Sequence, residues 1–337
     1  MLRISNISFP GLGIDTFSVD SVAFRIFGVE IAWYALFITF GMLCAITYAI
    51  VQGKKIGITF DDVIDYALFT IPFGVIGARL YYVLTELEHY KTFWDVINIR
   101  EGGLAIYGGI IAGTLTVIVV SYFKKIKFFA FGDCVAPGVL LAQGIGRWGN
   151  FMNGEAYGGP YEGFLRMGLL NFNTMNDEKL IEAGADVSEM VFVHPTFLYE
   201  SLWNLLGVLL VYLFAKFIGK KYDGQLILLI FGWYGLGRMF IEGLRTDSLY
   251  IPGTELRISQ VLAAAIFTVC LGLLIYFAIR QPKAPLYHKA PAEGEKAEKE
   301  EFPFIDKIKA LFSSKKTEES KEETVNTTDE ENSKNDE

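Results

Sequence analysis

A group of polar side chains near the middle of the sequence has the residue types and spacing of an anion site. Gln143 and Arg147 are one helical turn apart, and Asn150, Asn153 and Glu155 follow directly. An arginine presents a planar fork of donors that stays ionised in a low dielectric and matches phosphate oxygens in pairs. Amide and carboxylate groups beside it can orient the arginine or the bound group. The pattern therefore indicates binding of a phosphate-like anion.

A second group further along the chain repeats the pattern on one helix face. Tyr234, Arg238 and Glu242 are spaced i, i+4 and i+8, and Arg245 is seven residues beyond Arg238. Two arginines close together on one helix face, with a carboxylate beside them, again suit an anion.

The structural alternative is that the arginines only pair with carboxylates to hold helices together. The carboxylates available for this are Glu155, Glu200 and Glu242. Buried ion pairs in an apolar environment are expensive as mere connections, which favours the anion site for Arg147 and Arg238. For Arg79, in an earlier apolar segment, both interpretations stay open.

The helices that must position these groups are long and apolar. A helix needs about 20 mostly apolar residues to cross a hydrocarbon core about 30 Å thick. Hydrophobic residues make up 52% of the 337 residues. The predicted fold class is an all-α polytopic membrane protein with seven transmembrane helices, at 31–51, 63–84, 103–122, 131–149, 196–217, 225–244 and 258–279.

Basic residues at the span ends predict the orientation. They follow the first, third, fifth and seventh spans, which places all four clusters on one side, and the positive-inside rule makes that side the cytoplasm. The N-terminus is then outside and the C-terminus cytoplasmic, with nearly all unexplained polar groups in the outer half. An anion available at that depth is a phospholipid headgroup. The basic clusters are Lys54-Lys55, Lys124 to Lys127, Lys216 to Lys221, and Arg280 with Lys283.

The charge distribution excludes other classes of protein. The net charge is −8, and the segment 281–337 alone has ten lysines and fifteen acidic residues. A nucleic-acid-binding protein would show a basic footprint, so no nucleic-acid partner is expected. We predict two domains, a transmembrane catalytic domain at 1–280 and a charged, disordered cytoplasmic tail at 281–337. The three cysteines lie far apart in apolar runs without metal-ligand spacing.

The segment 146–158, with the sequence GRWGNFMNGEAYG, resembles the G-R-x-G-N-F-x-N-x-E-x-x-G pattern of the bacterial prolipoprotein diacylglyceryl transferase family. The resemblance extends over about residues 1–280. Further matching stretches are Trp33-Tyr34, Gly77-Ala78-Arg79, Gly102 to Gly109, Asp133, His194 to Glu200, and Tyr234 with Arg238, Glu242 and Arg245.

The resemblance implies a reaction and its partners. Members move the diacylglyceryl group of phosphatidylglycerol onto the lipobox cysteine of a preprolipoprotein signal peptide. A thioether forms and glycerol-1-phosphate leaves, in the first step of lipoprotein maturation. The implied location is the bacterial plasma membrane, with the active site towards the outer leaflet. No cofactor or metal is implied, and the sequence contains no P-loop or dinucleotide fingerprint.

Resemblance and physical reasoning together assign residue roles. Arg147 and Arg238 would bind the headgroup phosphate, while Asn150 and Asn153 orient headgroup or backbone groups. Glu155 and Glu242 would hold the arginines. Catalytic candidates are Arg147, Arg238, Tyr107 and His194, and substrate-binding candidates are Arg147, Asn150, Asn153, Glu155, Gly158, Tyr34, Arg79, Tyr234, Glu242 and Arg245.

The general base is not identified by the sequence. A thiol is a weak nucleophile until it loses its proton. Many members have a histidine where this chain has Tyr107, and a tyrosine with a pKa near 10 is a poor base unless it is shifted. His194 is the alternative by residue type, although its place before Pro195 also suits a positioning role. Gly149 and Gly154 are expected to form a tight turn whose amides face the site.

Two other functions fit seven apolar spans. An anion transporter would use the same arginines as a binding ring, but the sequence shows no inverted repeat. A retinal-type photoreceptor would need a lysine in the middle of the last span, and 258–279 contains none.

Overall fold

The computed structural model describes residues 4–90, 92–99, 102–251, 253–254, 256–280, 282 and 284–289. One compact unit extends to Lys289 and contains all the helices and strands described below. The predicted disordered tail lies, from 290 onwards, outside the described residues.

The described chain contains seven helices long and apolar enough to span a membrane, which confirms the predicted fold class. The span ends differ from the predicted ones by four residues or fewer, and the largest difference is Asn153 against a predicted 149. Short helices α3, α6 and α7 lie in the connections. The helices are α1 Trp33–Lys54, α2 Phe60–Thr85, α3 Phe93–Ile97, α4 Ile106–Lys124, α5 Phe128–Asn153, α6 Phe172–Met175, α7 Glu178–Glu182, α8 Thr196–Phe217, α9 Gln225–Ile241 and α10 Ile258–Arg280.

Helix α5 is the central span of the bundle. Half of the residues in its apolar stretch are buried inside the protein, against 11% of those in the apolar stretches of α1 and α10. It packs against α1, α8 and α9, while α2 packs mainly on α4 and α9 on α10. Asp133 of α5 accepts hydrogen bonds from the amides of Gly224, Leu226 and Ile227 at 2.9–3.1 Å, which satisfies the first turn of α9. The helix carrying the family-like pattern is therefore held on several sides.

Six strands accompany the helices in the described chain, and the sequence pattern does not predict them. Strands β1 and β2 precede α1, whereas β5 and β6 lie between α5 and α8, and the antiparallel sheet has the order β2-β1-β5-β6. Ile7 pairs with Leu169, so the sheet joins segments far apart in the chain. A separate hairpin of β3 and β4 leads directly into α1. The strands are β1 Ile4–Phe9, β2 Ile14–Asp20, β3 Val22–Ile26, β4 Val29–Ala32, β5 Met167–Leu170 and β6 Val191–Val193.

The four-stranded sheet has its own small hydrophobic core. Ile7, Leu169, Val193 and Leu180 of α7 are fully buried in it, and Phe197 at the start of α8 packs in the same core with 5% of its surface exposed. This core ties the sheet to α8 and, through the partly buried Phe151, to the end of α5. The sheet therefore supports the end of the bundle at which α5 ends and α8 begins.

Candidate active site

A single buried carboxylate, Glu200 of α8, joins three arginines from different parts of the chain. Its Oε2 atom lies 2.6 Å from Nη2 of Arg147 on α5. Its Oε1 atom lies 2.8 Å from Nη1 of Arg238 on α9 and 3.2 Å from Nη1 of Arg245. Only 5% of Glu200 is exposed. We call Glu200, Arg147, Arg238 and Arg245 the arginine cluster.

Two further carboxylates balance the charge of the arginine cluster. Glu242 lies 2.5 Å from Arg238 through one ion pair, and Asp247 accepts two hydrogen bonds from Arg245 at 2.8 and 2.6 Å. Burial alone would raise the pKa of Asp247, but the hydrogen bonds and positive charge of Arg245 outweigh it and lower that pKa. The same pairing raises the pKa of Arg245 against the effect of its burial. Three arginines thus meet three carboxylates.

The end of α5 adds a layer of amides beside Arg147. Nη1 of Arg147 donates to Oδ1 of Asn150 at 3.3 Å. The amide groups of Asn150 and Asn153 both donate to Oε1 of Glu155, at 3.0 and 3.1 Å. Glu155 therefore orients the two amides, and in the described residues it forms no ion pair with an arginine, unlike the role expected of it. Nε of Arg147 is buried and has no hydrogen-bond partner among the described residues, so one donor of this arginine is available to a ligand.

The two glycines expected to form a turn do different things. Gly154 ends α5 with φ +59°, a left-handed conformation that favours glycine. Gly149 instead lies inside α5, where a Cβ atom would come within 2.7 Å of the Tyr34 ring. The expectation of a turn at Gly149 was wrong because α5 continues to Asn153. Its small size lets the start of α1 approach the helix that carries Arg147.

Gly158 joins the three chain segments around the cluster. Its amide donates to the carbonyl of His194 at 3.0 Å, and the amide of Gly159 donates to the carbonyl of Leu244 at 2.8 Å. A Cβ atom on Gly158 would lie 2.7 Å from Cβ of His194 and 2.8 Å from the Leu244 oxygen. Only glycine fits between these neighbours. The segment after α5 therefore fixes the spacing between the start of α8 and the residue that precedes Arg245.

His194 lies at the edge of this arrangement. Its ring stacks on Tyr161 with centroids 3.9 Å apart, and Nδ1 lies 3.4 Å from the hydroxyl of Tyr199. Burial lowers its pKa below the ordinary 6.5, so the imidazole is neutral at pH 7. Among the described residues it forms no ion pair with the arginine cluster. His194 is therefore packed next to the backbone of Gly158, and its burial favours the neutral form.

Comparison of the sequence with known proteins shows the family to which this chain belongs. Residues 21–276, about three quarters of the chain, match the family described as prolipoprotein diacylglyceryl transferase. A phosphatidylglycerol–prolipoprotein diacylglyceryl transferase of Clostridium perfringens is 43% identical over 257 residues, covering 76% of this chain and 92% of the relative. The chain belongs to the prolipoprotein diacylglyceryl transferase family. It is a multi-pass membrane protein, with seven spanning helices in its described part.

Further relatives in the diacylglyceryl transferase family have a similar sequence identity to this chain. The enzyme so named from Clostridium kluyveri is 41% identical over 262 residues, which cover 77% of this chain and 96% of the relative. The one from Clostridioides difficile is 42% identical over 246 residues, covering 73% and 90%. The family match begins at residue 21, so β1 and β2 lie outside it.

Arg79 is not part of the cluster in this diacylglyceryl transferase family member. Its guanidinium donates five hydrogen bonds of 2.7–2.9 Å to the carbonyls of Asp95, Val96, Asn98, Gly102 and Gly103. Each N–H of the side chain is used, which leaves no donor for a phosphate. Of the two interpretations left open for Arg79, these hydrogen bonds favour the structural one, in which it holds the connection between α2 and α4.

The three tyrosines singled out in the sequence lie in different surroundings. Tyr34 packs on Gly149, close enough to Glu155 and Arg147 for their charges to act on its hydroxyl. Tyr234 is also close enough to Arg147 for an electrostatic interaction between the two side chains. Tyr107 is half-buried in the first turn of α4, and its hydroxyl has no hydrogen-bond partner among the described residues. Tyr34 and Tyr234 thus lie near Arg147, whereas Tyr107 forms no hydrogen bond with the cluster within the described chain.

Two residues of the site were undervalued or missed by sequence reasoning. Glu200 was grouped with two other carboxylates as a candidate partner of the arginines, yet it contacts all three arginines of the cluster. Asp247 was not considered, although it pairs with Arg245 through both oxygens. The signal for Asp247 was its position two residues after Arg245. No periodicity shows that Glu200 is the common partner, because that depends on how α5, α8 and α9 meet.

We predict that the stability of the protein depends on the charge state of His194. In the unfolded chain a histidine has a pKa of about 6.5, above the lowered value in the fold, so the unfolded state binds more protons as the pH falls through this window. The free energy of unfolding should therefore decrease from pH 7 towards pH 5. Thermal midpoints in detergent measure this, and His194→Gln should show a shallower slope. An unchanged slope in His194→Gln would contradict the prediction, since His89 and His288 are kept in both proteins.

Proposed function

We propose that the chain transfers the diacylglyceryl group of phosphatidylglycerol to the lipobox cysteine thiol of preprolipoproteins. The relatives with 41–43% identity are named for this phosphatidylglycerol–prolipoprotein transfer, and they are covered over 90–96% of their length. The observation that carries the proposal is the arginine cluster, in which Arg147, Arg238 and Arg245 converge on Glu200 within the family match.

The cluster suits the bond that must break. In the proposed step the cysteine sulfur attacks the glyceryl carbon, the bond from that carbon to the phosphate oxygen breaks, and glycerol-1-phosphate departs as the sulfur forms a thioether. Negative charge grows on the departing phosphate, and donors fixed in a dry site stabilise it most. Arg147 and Arg238 supply those donors, and the free Nε of Arg147 lies within the cluster without a competing partner among the described residues. The thiol proton leaves to a base.

His194 and Tyr107 are the two candidates for the base that accepts the thiol proton. His194 is uncharged at pH 7 because burial lowers its pKa, which is the protonation state a base requires. The hydroxyl of Tyr107 has no hydrogen-bond partner among the described residues, so no group there accepts or relays its proton. We therefore rank His194 before Tyr107 as proton acceptor. Tyr107 is assigned to donate a hydrogen bond to the substrate.

The orientation follows from the basic residues at the span ends. The proposed location is the bacterial plasma membrane, with the N-terminus outside and the C-terminus in the cytoplasm. Arg147, near the end of α5, and Glu200, near the start of α8, then lie towards the outer leaflet. This is the side on which a secreted preprolipoprotein would present its signal peptide and lipobox cysteine.

We predict that Tyr107→Phe lowers activity without abolishing it. Phenylalanine keeps the ring and removes only the hydroxyl, so a lost hydrogen bond to substrate should reduce kcat/KM by about tenfold. Tyr107→His should be tolerated, since histidine also donates a hydrogen bond. Initial rates with phosphatidylglycerol vesicles and a lipobox peptide measure both variants. A folded Tyr107→Phe protein with no detectable transfer would make the hydroxyl a direct participant and reverse the ranking of the two bases.

The reaction itself is tested by mass spectrometry. The purified protein is incubated with phosphatidylglycerol vesicles and a lipobox peptide, beside a peptide whose cysteine is replaced by serine. We expect a diacylglyceryl adduct on the cysteine peptide only, together with released glycerol-1-phosphate. A folded protein that yields no adduct while both substrates are accessible would overturn the proposal and favour anion transport.

A further inference from the structure

The loop after α9 is held by a lysine that belongs to the sheet layer, by which we mean strands β1, β2, β5 and β6 together with α7. Nζ of Lys179, on α7, donates to the carbonyl of Thr246 and, at 3.4 Å, to that of Ser248. The same ammonium group lies 4.8 Å from the ring centroid of Tyr250. Lys179 thus contacts three of the five residues that follow Arg245. These contacts join the sheet layer to the segment that carries an arginine of the cluster.

Asp177 fastens the same loop through its side chain. Its Oδ1 atom accepts hydrogen bonds from the amides of Lys179 and Leu180 at 3.0 and 3.4 Å, at the start of α7. Its Oδ2 atom accepts a hydrogen bond from Oγ1 of Thr246 at 3.0 Å. One carboxylate therefore fixes both α7 and the residue directly after Arg245. Thr246 is itself buried, with 8% of its surface exposed.

The helix that makes these contacts is itself immobilised. Leu180, next to Lys179, is fully buried in the core of the sheet with Ile7, Leu169 and Val193. A lysine on a free surface helix would gain little from one loop carbonyl, because its side chain has many alternative conformations. Here both ends of the contact are fixed, one by the sheet core and the other by the ion pairs of Arg245 with Glu200 and Asp247.

We propose that Lys179 and Asp177 are positioning residues for Arg245, so that the sheet layer sets the affinity of the site for the phosphate group of its lipid substrate. The path runs from the sheet core through α7 to the backbone of Thr246, and from there to the guanidinium that meets Glu200. A shift of Arg245 by a fraction of an ångström alters a charged hydrogen bond, since such bonds depend steeply on distance and angle. The lipid substrate in this inference is that of the proposed function, on which it rests.

Steady-state kinetics of Lys179→Met test the proposal in the full-length protein. We expect the KM for phosphatidylglycerol to rise about tenfold, while the KM for the lipobox peptide stays unchanged. Lys179→Arg keeps a charged donor and should restore most of the lost affinity. Lys221→Met is the matched control, because Lys221 is exposed and its side chain forms no hydrogen bond or ion pair among the described residues. A fall in kcat with both KM values unchanged would mean only that less of the protein is folded, and it would overturn the proposal.

A double-mutant cycle asks whether Lys179 acts through Arg245. Arg245→Lys keeps the charge but loses the planar fork, so some activity should remain. If Lys179 works only by placing Arg245, then Lys179→Met should change the KM for phosphatidylglycerol by less than about twofold in the Arg245→Lys background. A full tenfold effect in that background would overturn the path through Arg245.

One readout does not depend on the transfer reaction. A cysteine in place of the buried Ser248 reports loop opening through its rate of alkylation, and Lys179→Met should raise that rate by about tenfold, with the three native cysteines replaced by alanine. If the wild-type protein shows no transfer while the alkylation rate rises, the proposed function fails but the contact between α7 and the loop stands. If the wild-type protein is active and Lys179→Met changes neither the alkylation rate nor the KM, the inference fails and the proposed function stands.

Discussion

Arg147→Ala and Arg238→Ala should each lower kcat/KM for diacylglyceryl transfer by at least about 100-fold. Loss of one fixed donor to a developing oxyanion costs about 2.7–4 kcal/mol of transition-state stabilisation in other enzymes. Both arginines form ion pairs with Glu200 in a buried cluster. When one of them is removed, another cation cannot readily take its place there. The measurement is the initial rate of adduct formation on a lipobox peptide, with the folded fraction of each variant determined by size-exclusion chromatography.

The matched control for this prediction is Arg25→Ala. Arg25 lies on β3, pairs with Glu30 at 3.1 Å, and has 65% of its side chain exposed. Its removal should leave the rate within about twofold of wild type, because exposed ion pairs contribute little. Wild-type rates in folded Arg147→Ala or Arg238→Ala protein would exclude the cluster as the phosphate site.

Glu200→Gln should destabilise the protein strongly. Glutamine keeps the size of the side chain but removes the charge that three arginines share. Removing one partner of a buried ion pair costs about 3–5 kcal/mol, because the remaining charge stays buried without compensation. We therefore expect a clear drop of the thermal midpoint in detergent, together with a strong loss of transfer activity.

Glu162→Gln is the matched control for Glu200→Gln. Glu162 has 80% of its side chain exposed, and its ion pair with Arg166 is long, at 4.0 Å. Its replacement should leave the thermal midpoint and the transfer rate unchanged. If Glu200→Gln proved as stable as wild type, the arginines would have other counterions, and Glu242 and Asp247 would have to account for the cluster without Glu200.

The features that depend on local pattern could be predicted from the sequence. The spans follow from runs of apolar residues, and the i, i+4, i+8 spacing correctly placed Arg238 and Glu242 on one face, where they form an ion pair. These features need only helix geometry and the thickness of a bilayer. The family-like segment 146–158 contains the end of α5 at Asn153, with Gly154 in a left-handed conformation.

Features that depend on distant parts of the chain could not be predicted in this way. The sheet pairs residues 6–8 with 168–170, and neither of the two strands is long or alternating enough to be indicated by the sequence. For Arg79 the sequence left an anion site and a structural role both open, and its acceptors are five backbone carbonyls of a connection that has no distinctive sequence. The common role of Glu200 follows from the meeting of three helices. The sheet pairing, the acceptors of Arg79 and the role of Glu200 all depend on how distant segments pack together, and not on the spacing of residues along the sequence.

The arginine cluster holds its own counterions, and this changes what ligand binding means there. Each of its three arginines already has a carboxylate partner, drawn from Glu200, Glu242 and Asp247. On the proposed function, only Nε of Arg147 among the described donors of the cluster is free to receive a phosphate, and every further donor must be taken from a carboxylate. Association is then largely an exchange between anions and not a simple capture. Small free anions gain little from such an exchange, whereas a lipid also brings apolar contacts. On the proposed function, the carboxylates would bind their arginines again as the product leaves, so the protein would supply the anion that displaces the product in every turnover.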